Sequence, residues 1–291
     1  PMIFPNMTNA EASTAVGTGL TSFNTNGFTL GTESTTSAPT NENGITFVGW
    51  QWKAGGTAVS NTTGTITSSV SANQTSGFSV VTYTGTGSNA TVGHGLSVLG
   101  VAPQMIIIKA RSTGTYNWVV GHTSLAWTNY LLLDTTAATG ASSTVWQNTA
   151  PTSSVFSIGT SSALNVSGTT YVAYCWAPIA GYSQFGSYTG NGSTDGPFVY
   201  TGFRPKFFMT KRTNGAGDNW HIHDTSRSPS NIAYADLRPN TSDAENTSAY
   251  PMDIVSNGIK WRQGGSDGNE SGGTYIYAAF AENPFKYANA R

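Results

Sequence analysis

The sequence is poor in charge, in cysteine and in long apolar runs. Only 9% of its 291 residues are charged and the formal net charge is −1, whereas about a quarter of a typical globular protein is charged. So small a net charge gives no basic field that could hold a nucleic-acid backbone. Its single cysteine excludes an intrachain disulfide. No apolar run approaches the length needed to cross a bilayer. We therefore expect neither nucleic-acid binding nor membrane insertion.

Threonine, serine, asparagine and glycine take the place of charge, together with 12% aromatic residues. Disorder would require few aromatics and a high net charge, and neither holds. No amphipathic stretch reaches ordinary helix length between capping residues. Short β-branched and aromatic runs separated by glycine, asparagine and serine clusters instead indicate an all-β fold with many turns.

Two long segments repeat one pattern. Pro103 and Pro205 are each followed, at identical offsets, by an apolar run, a lysine, an Asn-Trp pair and a Thr-Ser pair. The matched residues are Lys109 and Lys211, Asn117-Trp118 and Asn219-Trp220, and Thr123-Ser124 and Thr225-Ser226. Repeats at a fixed period decide the architecture, and a unit of about 100 residues suits a β-sandwich. The predicted fold is therefore a tandem of antiparallel β-sandwiches, jelly-roll or lectin-like.

A third copy of the pattern is incomplete. The predicted strand 170–176 returns as 274–280 and as 46–52, and Pro5-Asn6 is matched by Pro239-Asn240. About two and a half copies are therefore present. The predicted division is the second half of a truncated repeat over 1–53, a linker over 54–76 whose centre at 65–70 could form one edge strand, and sandwich repeats over 77–182 and 183–291.

Residues 1–53 should not be stable alone, since half a sandwich exposes its core face and its sheet edges. Either the missing half lies upstream and was lost, or strands of another chain complete the fragment, as in donor-strand complementation. Both versions predict that Phe28 and Trp52 are not buried against residues 78–177. Burial there would make the fragment an extra layer on the first sandwich.

The sequence offers little for catalysis. Asp134 is the only carboxylate between residues 53 and 182, whereas an ordinary glycoside hydrolase needs two flanking its substrate. The acids of the second unit lie mainly in turn contexts, and no phosphate loop, dinucleotide fingerprint or nucleophile elbow occurs. We expect a protein that is not an enzyme and holds no cofactor.

The histidine pair of the second unit is the best candidate for a metal site. Along a strand His221 and His223 face the same way, while Asp224 faces the other. The corresponding residues of the first unit are Val119 and Gly121, so the spacing is not shared. The pair is either a zinc or copper site or two surface or interface imidazoles, and we predict no metal.

The paired tryptophans of the two units are the candidate ligand-binding residues. Trp118 and Trp220 occupy the same place in each copy, beside an asparagine. Flat rings of this kind could stack on a sugar face, but residues that share a place in two repeats can equally form a shared core. Both interpretations stay open.

Four stretches resemble a repeat family of bacteriophage virion proteins, found mainly in phages of marine and aquatic bacteria. They are 27–32 (GFTLGT), 50–61 (WQWKAGGTAVSN), 187–205 (SYTGNGSTDGPFVYTGFRP) and 279–291 (AFAENPFKYANAR). The resemblance covers nearly the whole chain. It implies a phage structural or tail-associated protein built of lectin-like β-sandwich modules, and it carries over no catalytic residues.

We therefore expect a non-enzymatic virion component, a tail-fibre or surface-appendage module for host attachment. Its expected partners are other virion subunits, including copies of itself (trimers, by analogy with phage fibres), and a host-surface glycan. The alternatives are a carbohydrate-binding lectin-like head and a polysaccharide depolymerase.

Overall fold

The computed structural model describes residues 1–13, 18–32 and 40–283, and their regular secondary structure consists mainly of antiparallel strands. In chain order the strands are β1 (Leu20–Asn24), β2 (Gly27–Leu30), β3 (Val59–Asn61), β4 (Ser68–Asn73), β5 (Phe78–Thr84), β6 (Ala90–Gly93), β7 (Met105–Ala110), β8 (Val119–His122), β9 (Asn129–Leu132), β10 (Gly140–Ala141), β11 (Val155–Ile158), β12 (Thr170–Trp176), β13 (Ser183–Thr189), β14 (Phe198–Tyr200), β15 (Pro205–Arg212), β16 (Trp220–Asp224), β17 (Met252–Val255), β18 (Gly258–Trp261) and β19 (Thr274–Ala281). The helices are single turns: α1 (Ser143–Trp146), α2 (Ser162–Asn165) and α3 (Ser266–Asn269). The predicted all-β class is confirmed. Residues 284–291, which end one of the phage-like motifs, lie outside this description.

None of the helices in the described ranges is long and apolar enough to span a membrane.

The first large sheet has eight strands in the order β10-β9-β8-β7-β12-β5-β4-β3. Side chains alternate between its faces, as in any strand. One face, with Ile106, Ala173 and Val81, packs under the β6–β11 pair and the helices α1 and α2 in the first core. The other face, with Met105 and Ile107, belongs to a different core.

The second large sheet has four strands in the order β13-β19-β15-β16. That order matches β5-β12-β7-β8 of the first sheet, strand for strand. Its inner face, with Phe208 and Ala279, packs on the three-stranded sheet β14-β18-β17 in the last core. Its other face, with Phe207 and Phe280, turns toward the first sheet.

The remaining faces of the two large sheets meet in a shared central core. Because the central strands of each large sheet, such as β7 and β19, are buried on both faces, they show little of the alternation of a half-exposed sheet. The buried members of the central core are Met105, Ile107, Trp118, Val120, Leu125, Leu131, Leu133, Phe185, Phe207, Met209, Trp220, Ile222, Ile276, Ala278 and Phe280, with Ile3, Trp50, Trp52, Tyr174, Trp176 and Tyr182 packed against them. The central core therefore joins residues 1–53 and both predicted repeats.

A buried corner holds the start of β12 in place. The Tyr171 hydroxyl donates to the Ser162 carbonyl at 3.0 Å and accepts the Val166 amide at 2.8 Å. Asn165, fully buried, accepts the Thr86 amide at 2.7 Å. These bonds satisfy backbone groups that β-pairing leaves free where strands end.

An equivalent corner, built from matching residues, holds the start of β19 in place. The Tyr275 hydroxyl donates to the Ser266 carbonyl at 2.5 Å and accepts the Glu270 amide at 2.9 Å. Asn269, also fully buried, accepts the Asn191 amide at 2.8 Å. Two distant parts of the chain thus use the same residue types for the same bonds.

The predicted linker over 54–76 is partly sheet. It contributes β3 and β4, and β4 pairs with β5 over five residues from Ser69 to Asn73. Val70 is 3% exposed in the first core. The serine- and threonine-rich composition suggested a linker because every second residue of β4 faces away from the core, where hydroxyls are tolerated.

The strand predicted over 46–52 does not form. These residues have no β-partner among the described residues. The matching strand β12 pairs with β5 on one side and β7 on the other, and neither has a counterpart among the described strands of residues 1–53. A β-strand needs a neighbour to receive its backbone hydrogen bonds.

Candidate functional site

The two paired tryptophans lie inside the central core. Trp118 is 5% exposed and Trp220 is 1% exposed. Stacking on a sugar needs an open ring face, and neither ring has one because the opposing sheet and residues 1–13 cover them. This placement corrects the interpretation of the two rings as sugar-stacking platforms and favours the shared-core alternative.

Each indole donates one hydrogen bond across a boundary between segments. Trp118 Nε1 donates to the Phe4 carbonyl at 2.9 Å, with Met7 O at 3.2 Å. Trp220 Nε1 donates to the Leu132 carbonyl at 2.9 Å. The first bond joins residues 1–13 to the first predicted repeat, and the second joins the two predicted repeats. Buried indoles are usually paired in this way.

The two acceptor carbonyls hold equivalent positions. Leu132 stands two residues before Asp134, whose side chain accepts the Trp118 backbone amide at 3.1 Å. Arg238 stands two residues before Asn240, whose side chain accepts the Trp220 amide at 3.0 Å. Phe4 likewise stands two residues before an asparagine. Phe4, Leu132 and Arg238 are therefore three copies of one acceptor position.

A second hydrogen bond repeats with the first. Glu11 N donates to Arg111 O at 2.8 Å, and Thr139 N donates to Thr213 O at 2.9 Å. Glu11 and Thr139 each lie seven residues after the carbonyl that accepts an indole, Phe4 or Leu132. The separation of Arg111 and Thr213 along the chain equals that of Trp118 and Trp220. One interface geometry thus occurs twice along the chain. We call it the segment interface.

The first segment interface also carries an ion pair. Arg111 Nε lies 2.6 Å from Glu11 Oε2 and Nη2 lies 2.9 Å from Oε1. This bidentate hydrogen bonding lowers the pKa of Glu11, against a smaller opposing effect of burial. The side chains are 31% and 22% exposed, so solvent screens much of the attraction.

The third copy of the acceptor position is unused. Among the described residues, the Arg238 carbonyl accepts only the Thr241 amide, at 3.4 Å. Its counterpart, the Phe4 carbonyl, accepts the Met7 amide at the same 3.4 Å and the Trp118 indole as well. A carbonyl oxygen has two lone pairs, so Arg238 retains capacity for a second donor.

Aromatic residues at matching positions meet where the three segments join. Trp52, Trp176 and Phe280 end the three copies of the predicted closing strand. The Trp52 ring lies 6.2 Å from the Trp176 ring and 5.3 Å from the Phe280 ring, both edge-on. Such edge-to-face contacts are favourable beyond their apolar burial. Trp52 therefore packs against both predicted repeats, and not as an added layer on the first.

A charged cluster anchors the neighbouring Trp50. Its Nε1 donates to Asp224 Oδ2 at 3.1 Å, and the Arg227 guanidinium lies 5.5 Å from the ring centroid. Arg227 Nε bonds the same carboxylate oxygen at 2.7 Å. Burial alone would raise the pKa of Asp224, but the bonds from Arg227 and Trp50 outweigh it and lower the pKa. Asp224 is thus held as a carboxylate between residues 46–52 and the second repeat.

An apolar cavity of about 430 Å³ lies beside this cluster. Its lining includes Trp50 and Trp52, residues 237–239 and 241–243, and Phe207 and Met209 of β15. The volume is within the range of small-molecule pockets. The cavity borders both the unpaired segment 46–52 and the unused Arg238 carbonyl.

His221 and His223 do face the same side of β16, as predicted, toward the last core. His221 Nδ1 lies 3.0 Å from Asp236 Oδ1, and Nε2 lies 3.6 Å from Asp267 Oδ2. Burial lowers the pKa of His221, but the two carboxylates outweigh it and the pKa is raised. His223 is buried 5.9 Å from the Trp261 ring, and burial lowers its pKa to about 4.

No group of three or more metal-binding side chains occurs in the described ranges. His221 is oriented by two carboxylates, whereas His223 donates from Nε2 to the Tyr250 carbonyl at 3.0 Å. The two imidazoles therefore have separate partners.

Two other histidines are buried as neutral rings. His94 Nδ1 accepts the Leu96 amide and Nε2 donates to the Thr152 carbonyl at 3.2 Å. His122 Nδ1 accepts the Ser124 amide, and Nε2 donates to the Tyr277 carbonyl at 3.1 Å, which links β8 to β19. Burial lowers the pKa of each to about 4.

A second, polar depression of about 350 Å³ lies on the eight-stranded sheet near β3. Its lining is rich in hydroxyls, among them Ser69, Thr82 and Thr84, with Arg111 at one end. The one aromatic residue that lines it, Tyr83, is buried in the first core.

Fold and site together define an all-β protein whose segments are joined by a repeated interface around a common core. The chain belongs to the family described as a domain of unknown function, DUF7483, whose model matches residues 1–284. That match includes the segment 1–53 as well as most of both predicted repeats. No curated protein and no solved structure matches the chain.

Sequence reasoning missed the three acceptor positions. A carbonyl contributes no side-chain signal, so Phe4, Leu132 and Arg238 look unrelated as residue types. The constant two-residue spacing to Asn6, Asp134 and Asn240 was the available signal.

Proposed function

We propose that the chain is a non-enzymatic structural protein of a bacteriophage virion. In this proposal it consists of two complete antiparallel β-sandwich repeats, jelly-roll or lectin-like, and the second half of a third. The observation that carries the proposal is the segment interface, formed once through Trp118 and once through Trp220. A chain whose repeats are joined by one reused interface is organised for assembly.

The resemblance of the motifs to phage virion proteins supports a location in a tail fibre or another surface appendage of the virion. Turns rich in asparagine, threonine and glycine, such as residues 190–196, offer adaptable hydrogen bonding to a host surface. Other virion subunits, including copies of this chain, are the proposed partners.

Immunogold electron microscopy of purified virions tests this role. Antibodies against the folded chain should label a tail or surface appendage, and the same antibodies should block adsorption to the host. An antiserum absorbed with the purified chain is the control. Label confined to the cytosol of infected cells would contradict the proposal.

A glycan-binding role is the second candidate, and the polar depression near β3 favours it. Its hydroxyls could hydrogen-bond a sugar, although its lining offers no exposed ring. Thr82→Val should then weaken binding on an array of host polysaccharides, with Thr63→Val as an exposed control outside the depression. Equal binding by both variants would remove this candidate.

A further inference from the structure

We infer that a β-hairpin of the repeat's own pattern, the counterpart of β7 and β8, docks over the apolar cavity lined by Trp50 and Trp52 and places apolar side chains in it. The inference rests on the repeat architecture proposed above. The occupant is a polypeptide of stated chemistry: two antiparallel strands that present alternate apolar side chains, with a tryptophan near the start of the second strand.

The first observation is an open backbone edge. Residues 46–52 correspond to β12 and β19, each of which pairs with such a strand. In those pairs Met105 lies opposite Trp176 and Phe207 lies opposite Phe280. An incoming strand in this register would place an apolar residue opposite Trp52. Strand addition of this kind draws its affinity from main-chain hydrogen bonds and its specificity from alternate side-chain pockets.

The second observation is the unused end of the segment interface. The Arg238 carbonyl has its local bond to Thr241, and no indole of the described part of the chain donates to it. Glu245, seven residues further on, matches Glu11 and Thr139, and its amide has no hydrogen-bond partner among the described residues. A docked hairpin would supply the indole N–H to Arg238 and a carbonyl to Glu245.

The third observation is that the cavity is lined from both of these segments. Its lining includes Trp50 and Trp52 of the first and Leu237 and Pro239 of the second. The adjoining segment keeps Phe47 50% exposed. An apolar surface next to unpaired backbone fits a strand that brings both side chains and peptide groups.

The competing occupants fit less of this arrangement. A small apolar ligand would fill the cavity, but it would give residues 46–52 no strand partner and the Arg238 carbonyl no second donor. In a second copy of the chain, β7 is held on both sides by β12 and β8. It could be donated only by opening that copy's own sheet.

The test is a graft in the full chain. Ile3 matches Leu131, so Pro1 matches Asn129. Residues 103–128 of this chain, joined directly ahead of Pro1, therefore place a second β7–β8 hairpin in register without a linker. In the graft, we expect amides within 46–52 to exchange with solvent at roughly a tenth of their rate in the ungrafted chain, or more slowly. We also expect the binding of a fluorescent apolar dye to fall.

Two control grafts separate docking from mere attachment. The graft with Met105→Asp and Ile107→Asp in the added copy should leave exchange at 46–52 unchanged. The graft with Trp118→Phe in the added copy should protect 46–52 but leave the Glu245 end less protected than the unmodified graft does. These results do not depend on the virion experiment, which can fail while the hairpin still docks.

An unmodified graft that leaves both exchange and dye binding unchanged would overturn the inference. So would dimerisation of the ungrafted chain through this face, seen by light scattering and abolished by Trp52→Ser.

Discussion

The indole of each paired tryptophan contributes a hydrogen bond that phenylalanine could not make. Trp118 and Trp220 are otherwise apolar members of the central core. Trp146, in the first core, is as buried as Trp220, at 1% exposure, but its Nε1 has no hydrogen-bond partner among the residues that the structure describes. The two kinds of buried tryptophan allow the bond to be separated from the packing.

Trp220→Phe should destabilise the chain more than Trp146→Phe. Both changes shorten a fully buried ring, so their packing losses are similar in kind. Only Trp220→Phe also leaves the Leu132 carbonyl without its donor, which costs about 1–3 kcal/mol. Chemical denaturation of the two variants measures the difference. Equal losses would show that the bond to Leu132 does not contribute.

Stability should fall as the pH is lowered from about 6.5 to about 4. Folding lowers the pKa of His94 and His122 to about 4 because their rings are buried. Between that value and the unfolded value near 6.5, the unfolded state binds more protons, so stability rises with pH. Each histidine contributes roughly 2–3 kcal/mol, fully present above pH 6.5 and lost as pH falls through about 4.

Melting temperatures measured across this window check the prediction. Carboxylates whose pKa is lowered, such as Glu11, lose their contribution only below about pH 4.3. His122→Gln should flatten the slope between pH 6.5 and 4.5. An unchanged slope in that variant would exclude His122 as a source.

At the scale of elements, strand type was predictable and strand partners were not. β12 and β19 stand out as β-branched and aromatic runs, and both form. The equally strand-like residues 46–52 form no strand, because pairing depends on neighbours that the local sequence does not encode. The serine-rich β4 was hidden in an apparent linker because its apolar signal is only Val70 and Ala72.

Val70→Ala tests whether β4 belongs to the first core. Val70 is 3% exposed, so truncating it should cost roughly 1–3 kcal/mol. Val59 lies on the adjoining β3 at 64% exposure, and Val59→Ala should change the free energy of unfolding by less than about 0.5 kcal/mol. If residues 54–76 were a free linker, the two variants would be equally stable.

At the scale of the whole molecule, the first and last cores are linked to the central core through the two large sheets, whose central strands are apolar on both faces. The sequence repeats indicated two units and a fragment, but not that these three share the central core. That arrangement depends on long-range contacts such as Trp52 with Phe280. The candidate site was predictable only as a pair of matched tryptophans. Its acceptors are backbone carbonyls, which no residue pattern announces.

One interface is formed twice along the chain, through Trp118 and through Trp220. Nuclear magnetic resonance with ¹⁵N-labelled tryptophan can follow the exchange of each indole proton, with assignments from single Trp→Phe variants. We expect slow exchange for both protons, because each is buried and bonded to a carbonyl at 2.9 Å. Rapid exchange of either proton in the folded chain would contradict this expectation.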